Sequence, residues 1–362
     1  MSNPLTISEH LWNDEIPMED WTAAVAGGSI TPVGDDVVAV HTGYAFGNVT
    51  AIRTPAGLVL VDTGSRETGT QIFSAIRKWD DRPVDTVIYT HGHIDHTLGA
   101  HVYDAEADER GVPRPRIIAH RGVLDRFARY DVTHGLNSVV MGRQFNAPGY
   151  VFPQQHRAPD QIYDDVLSLE VGGVQFELMH GRGETDDATF VWMPHRRVLI
   201  SGDFVIWAFP NAGNPRKVQR YAPDWAHALR RMEALEPGTL IPGHGPVVFG
   251  AARARALLDD TACVLETLTH QAVELMNQGK TLEEVLLGVV PPAELLARPY
   301  LKPKYDDPEF VIRGIYHLYA GWFDGNPAHL KPAPAAELGR ELAALCGGAG
   351  VLADRAPTVL GD

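Results

Sequence analysis

With 362 residues, 44% of them hydrophobic and 21% charged, the chain has the composition of a folded globular protein and the length of about two ordinary domains. Its 31 Lys and Arg against 46 Asp and Glu leave a net charge of −15. That balance argues against a general nucleic-acid binder, which needs a basic face for phosphates, and obliges any anionic substrate to find locally placed cations.

No stretch approaches the roughly 18 apolar residues of a membrane span. The opening residues show neither a basic start nor an apolar run, so the expectation is a cytoplasmic protein with no membrane partner. Cys263 and Cys346 lie far apart, in no metal-ligand spacing, and read as reduced thiols.

Short apolar, β-branched runs begin after Asp36. Val37–Thr42, Val49–Arg53 and Gly57–Val61 read as strands, the last two separated by a Thr-Pro-Ala-Gly turn. Residues 71–79 carry Ile72, Ile76 and Trp79 at helical spacing. A strand over Val84–Thr90 follows and runs directly into a His-rich loop. Ile117–Ala119, a helical stretch at 121–130, then Leu167–Val171, Val174–Met179, Thr189–Met193 and Val198–Ser201 continue the pattern. Strands alternating with helices predict a layered α/β architecture with its site at strand ends.

The texture changes after Gly250. Residues 251–279 read as one long amphipathic helix, Thr281–Glu284 as a capping box opening the next, and Pro291-Pro292 as its stop. Further helix is predicted at 308–320 and 334–345. The division expected is an α/β catalytic domain over 1–250, a helical domain over 251–346 and a flexible tail over 347–362.

The loop Thr90-His91-Gly92-His93-Ile94-Asp95-His96 packs four potential ligands into six residues. A turn there aims His91 and His93 at one metal ion and Asp95 and His96 at a second, and imidazole with carboxylate suits zinc-like ions. Asp62, in Val61-Asp62-Thr63-Gly64, ends a preceding strand and is placed to orient a ligand from behind. Asp203, in Ser201-Gly202-Asp203, ends a later strand and can bridge two ions. His244, in Pro242-Gly243-His244-Gly245, supplies a last imidazole. Two such ions hold a hydroxide nucleophile at neutral pH and polarise the bond to be cut, with Asp95 and Asp203 as the catalytic carboxylates.

In this order these pieces resemble the metallo-β-lactamase superfamily over about residues 30–250. The resemblance implies an αββα sandwich with two ions, here read as two Zn2+, at the mouth of two packed sheets. Where the superfamily places a His in a Gly-His-Thr turn, this chain has Gly183-Glu184-Thr185, and in this it is similar to the alkylsulfatases, whose ligand there is a glutamate. His180 is the competing third ligand, but Met179-His180-Gly181 does not fit the Gly-ligand-Thr frame.

Tyr316-His317-Leu318-Tyr319-Ala320-Gly321-Trp322-Phe323-Asp324-Gly325-Asn326-Pro327 resembles the signature of the alkylsulfatase dimerisation domain and implies a homodimer. Asn211 and Arg216, eight and thirteen residues past Asp203, stand where that family places its sulfate contacts. The segment around Asn137 and Arg143 is similar to one lining the alkylsulfatase pocket. The chain departs from that branch in carrying Asp203 in place of a glutamate. It also ends near where a sterol-carrier-like domain follows, so a detergent-length substrate is not expected.

The reading is therefore a binuclear metal-dependent hydrolase acting on an anionic sulfate ester, with another hydrolase of the fold (lactonase, thioesterase, phosphoesterase or β-lactamase-like) as the alternative. The remaining histidines, His41 and His120 among them, read as ordinary core or surface residues.

Overall fold

The computed structural model describes residues 4–360. Period-two alternation in the strands sorts side chains between two faces, and that sorting builds the layers. The first sheet runs in sequence order through β1 (Ser29–Pro32), β2 (Val37–His41), β3 (Val49–Thr54), β4 (Gly57–Val61), β5 (Val84–Ile88), β6 (Arg116–His120) and β7 (Gln161–Tyr163). β1 to β4 are antiparallel, and from β4 onward each neighbour is parallel. The second sheet holds β8 (Val166–Val171), β9 (Val174–His180), β10 (Thr189–Met193), β11 (Val198–Gly202), β12 (Thr239–Pro242) and β13 (Val248–Phe249), antiparallel except for the β11–β12 pair.

On β4, Val59 and Val61 face the second sheet and join Ile88, Leu178, Val191 and Ile200 in a core between the sheets. Leu58 and Leu60 point the other way, into a core closed by helices. Those helices are among the elements α1 (Pro4–Trp12), α2 (Met18–Val25), α3 (Gly69–Trp79), α4 (Ile94–Thr97), α5 (Ala100–Arg110) and α6 (Gly122–Gln144). Ile72 and Ile76 of α3, Tyr103 of α5 and Phe127 of α6 cover the first sheet. The outer face of the second sheet, with Phe190, Trp192 and Leu199, packs under α7 (Ala222–Ala234) and α8 (Ala251–Asn277). The result is the αββα sandwich.

Beyond α8 come α9 (Leu282–Gly288), α10 (Ala293–Leu296), α11 (Pro308–Ala320), α12 (Ala335–Leu345) and α13 (Ala349–Leu360). Thr281 and Glu284 form the reciprocal capping box expected of them. Helix α8 starts at Ala251, and one apolar core runs across the division expected near 250: Trp225, Leu229 and Met232 pack with Leu257, Leu265 and Ile312.

Three sequence expectations need correction. The strand read as Val84–Thr90 ends at Ile88, because Thr90 turns to serve the site. The helix read at 121–130 continues to Gln144 across a non-helical residue, Thr133, as a 23-residue element. The stretch 347–362, expected as a flexible tail, forms α13 after Gly347 and Gly348, both at positive φ, turn the chain; its last two residues lie outside the described ones.

Candidate metal centre

The site sits where strand ends from both sheets meet. β4 delivers Asp62, the loop after β5 delivers His91 to His96, the turn after β9 delivers Glu184, the end of β11 delivers Asp203 and the turn after β12 delivers His244. Two ligand groups result. His91, His93, Glu184 and Asp203 bring one donor atom each to within 4.8 Å of one another, and Asp95, His96 and His244 do the same. Asp203 joins the groups: its Oδ2 lies 3.5 Å from His91 Nε2 and 3.5 Å from His244 Nε2, while Oδ1 lies 3.2 Å from His96 Nε2. Asp95 Oδ2 is 3.4 Å from His244 Nε2 and 3.6 Å from His96 Nε2.

Three of the four rings, those of His91, His96 and His244, are aimed by their other nitrogen. His96 Nδ1–H donates to Asp62 Oδ2 at 2.7 Å, and His244 Nδ1–H donates to the Tyr44 carbonyl at 2.8 Å. Thr90 Oγ1–H donates to Asp62 Oδ2 at 2.7 Å, and Thr90 Oγ1 in turn accepts from His91 Nδ1–H at 3.0 Å. All three imidazoles thus present Nε2 to the centre, the tautomer a metal requires. Asp62 also accepts from the Thr90 N–H at 2.7 Å and holds a left-handed backbone at φ 64, strain fixed by these contacts.

The donor set fits divalent ions. His91 Nε2, His96 Nε2, Glu184 Oε2 and Asp203 Oδ1 are buried atoms without a hydrogen-bond partner, all belonging to the two groups. Burial disfavours charge on Asp203, yet the surrounding His96, His244 and His91 hold its carboxyl well below the usual range. Burial likewise opposes a proton on His244, but Asp203 and Asp95 lift its imidazolium to about 10. A field that holds protons this tightly will hold a divalent cation in their place. Gly243 admits the close turn: a Cβ there would fall 2.0 Å from Asp203 Oδ1.

Glu184 Oε2 lies 3.1 Å from His93 Nδ1. Its other oxygen accepts from Asn211 Nδ2 at 2.5 Å and from an Arg220 guanidinium nitrogen at 3.0 Å. Burial works against ionisation of Glu184, but Arg220 and His93 bring its carboxyl down to about 2. His180 lies elsewhere, its ring 3.7 Å from that of His120, centroid to centroid. Of the residues proposed for sulfate, Asn211 is buried in the cluster and Arg216 is exposed, its backbone N–H bonded to Asn214 Oδ1 at 3.0 Å in a turn that carries the side chain outward. Asn137 bonds Thr133 Oγ1 at 3.1 Å within α6, and Arg143 is exposed.

Several contributors had no signal in the sequence. Asp187 is fully buried, accepts from the Gly92 N–H at 3.0 Å and is forked by Arg126 at 2.9 Å, clamping the His-rich loop to α6. Asn48 donates to the carbonyls of Pro242 and Gly245 at 2.9 and 2.8 Å and accepts from His41 Nδ1–H at 2.7 Å, fastening the His244 turn. His41 is therefore a positioning residue at one remove, although its sequence neighbours are unremarkable strand residues.

Comparison with known proteins agrees with this geometry. Residues 42–244 match the family model for the metallo-β-lactamase superfamily. The chain belongs to that superfamily. Residues 281–360 match the alkyl sulfatase dimerisation model, so the metallo-β-lactamase domain is followed here by an alkylsulfatase-type helical region. Similar curated proteins include a linear primary-alkylsulfatase of Pseudomonas sp. (strain ATCC 19151), 30% identical over 82% of this chain and 60% of its own length. An (R)-specific secondary-alkylsulfatase of Pseudomonas sp. is 29% identical over 83% of this chain and 50% of its own. Among solved structures, the inverting sec-alkylsulfatase Pisa1 from Pseudomonas sp. superposes with a TM-score of 0.74 at 26% identity, covering 92% of this chain and 56% of Pisa1. A double mutant of PisA1 gives a TM-score of 0.81 at 25% identity over 97% of this chain and 58% of its own. The chain thus spans between 50% and 60% of the length of these two curated relatives.

Proposed function

We propose that this protein is a binuclear metal-dependent hydrolase of sulfate esters, working as a homodimer. The observation that carries the reading is Glu184 in the place of the superfamily's third histidine, held by Asn211 and Arg220 and joined to the His91–His93 side of the centre. His91, His93, Glu184 and Asp203 would hold one ion and Asp95, His96, His244 and Asp203 the other, with zinc the best match to this mixture of imidazole and carboxylate. When bound, the ions supply Lewis-acid polarisation and lower the pKa of water.

The chain's own residues do the rest. Asp62 and Thr90 keep His96 and His91 aimed inward, and the Tyr44 carbonyl does the same for His244. Asp203 spans both groups and fixes their separation. Asp95, the less buried carboxylate, is the candidate to move a proton during hydrolysis. Support for the substrate class comes from the two Pseudomonas proteins and from Pisa1 compared above, which are alkylsulfatases. For the dimer it comes from the apolar side chains that the helical region leaves exposed: Tyr319, Trp322, Leu342 and Leu345.

A panel of alkyl sulfate, phosphate monoester, lactone and thioester substrates tests the reading. Turnover of short alkyl sulfates that disappears with a strong chelator and returns with zinc is the expected result. Turnover confined to lactones or thioesters would move the protein to another branch of the superfamily.

A further inference from the structure

The cations around the centre are nearly all paired. Arg126 is spent on Asp187 and Asp186, Arg220 on Glu184 and the Asn211 carbonyl, and Arg182 on Asp224. Lys217 differs. It is half-buried, has no carboxylate within ion-pair distance among the described residues, and its Nζ touches only the Met141 sulfur of α6, at 3.7 Å. An ammonium withdrawn from water without a counter-charge is costly, so its place calls for an explanation.

Its neighbours locate it. Lys217 lies in the loop whose two ends, Asn211 and Arg220, both bond Glu184 of the first ligand group, and it feels the charge of Glu184 and Asp95. The wall behind it is built by α6 beyond Thr133, where Gln144 bonds the Tyr305 hydroxyl. Burial, with Arg220 nearby, lowers the pKa of the ammonium from its ordinary value, the signature of a cation already stripped of part of its hydration.

We propose that Lys217, rather than Arg216, is the specificity-determining cation that receives the oxyanion head of the substrate. One unpaired ammonium matches one negative charge, which favours a monoanionic sulfate ester over a neutral lactone or thioester. A neutral substrate would leave the ammonium without a partner. The inference rests on the sulfate-ester reading above but can fail separately from it.

The test compares metal-loaded wild type with Lys217→Met, Lys217→Gln, Lys217→Arg and Arg216→Ala. Binding of inorganic sulfate is followed by calorimetry, and KM and kcat are measured for a short alkyl sulfate. A charge-assisted hydrogen bond is worth about 1.5–3 kcal/mol, so roughly tenfold or greater loss of sulfate affinity and a matching rise in KM are expected for Lys217→Met and Lys217→Gln. Lys217→Arg should stay within about threefold of wild type, Arg216→Ala should match it, and metal content and melting temperature should be unchanged throughout. Sulfate affinity and KM at wild-type values in both neutral variants would overturn the proposal while leaving the sulfatase reading intact, as would a loss carried by Arg216→Ala instead. If wild type binds sulfate through Lys217 but cleaves no sulfate ester, the anion contact stands and the sulfatase reading falls. If wild type neither binds sulfate nor cleaves its esters, both fall.

Discussion

Glu184 and His180 lie four positions apart in the chain and play different parts. Glu184 has one buried oxygen aimed at His93 and the other secured by Asn211 and Arg220, whereas the ring of His180 sits against that of His120. Glu184→Ala should therefore lose close to one ion per chain by metal analysis, and His180→Ala should keep both. A different residue-scale effect belongs to His41. Its ring is fully buried, and burial, only partly opposed by its bond to Asn48, depresses its pKa to about 4. The unfolded chain, with an ordinary imidazole near 6.5, binds a proton in the window between those values and the folded chain does not. The stability this neutral ring contributes is present above pH 6.5 and is lost as pH falls toward 4, to the extent of about 3 kcal/mol. Melting temperatures across that range should fall more steeply for wild type than for His41→Gln, whose side chain cannot titrate. The residue-scale features the sequence made legible were those with their own local frame, such as His-x-His-x-Asp-His and Gly-Glu-Thr. Asn48 and His41 had none, because their role depends on a turn nearly two hundred residues away.

Among elements, α6 is the one whose sequence reading fell shortest. Its first half is pinned under the metal loop by Arg126, which forks Asp187, and a Cβ on Gly92 would come within 2.8 Å of the Arg126 side chain. Its second half, past Thr133, carries Met141 to Lys217 and Gln144 to the Tyr305 hydroxyl. Hydrophobic periodicity could not announce this length, since Val132, Leu136 and Val139 are exposed and the amphipathic pattern is blurred. Asp187→Asn would leave the buried Arg126 short of a counter-charge and loosen the hold on the Gly92 N–H. Outer contacts of this kind typically tune metal affinity by about 10–100-fold. Chelator competition should show a loss in that range for Asp187→Asn with the fold intact by circular dichroism. Wild-type affinity would mean that the loop holds its shape without the clamp.

For the molecule as a whole, the cores explain which parts depend on which. Trp225 and Leu229 of α7 pack with Leu257 and Leu265 of α8, so residues 1–250 produced alone would uncover an apolar face on α7. Such a fragment should aggregate or bind a hydrophobic dye, while the full chain does not. At the other end, α12 and α13 leave Leu338, Leu342, Leu345, Val351 and Leu352 exposed, a run of apolar side chains that a partner surface would cover. Light scattering should give a dimer at micromolar concentration, and Leu338→Asp combined with Leu342→Asp should shift it to monomer. A wild-type monomer would assign that surface to some other partner.

The sequence by itself determined the chemistry of the donors, the sandwich and the helical region that follows it. These follow from short-range rules: alternation in strands, capping at Thr281, and ligands crowded on one loop. What only the tertiary structure decided is how strand ends from both sheets converge, so that Asp203 lies between two groups and Asp62 stands behind two histidines. It also decided which cations are spent on carboxylates and which one is left without an ion pair among the described residues. Pairing is a matter of distance and burial, and Arg216, Lys217 and Arg220, near-equivalent as text, part company once the loop turns one outward, leaves one half-covered and buries the third against Glu184.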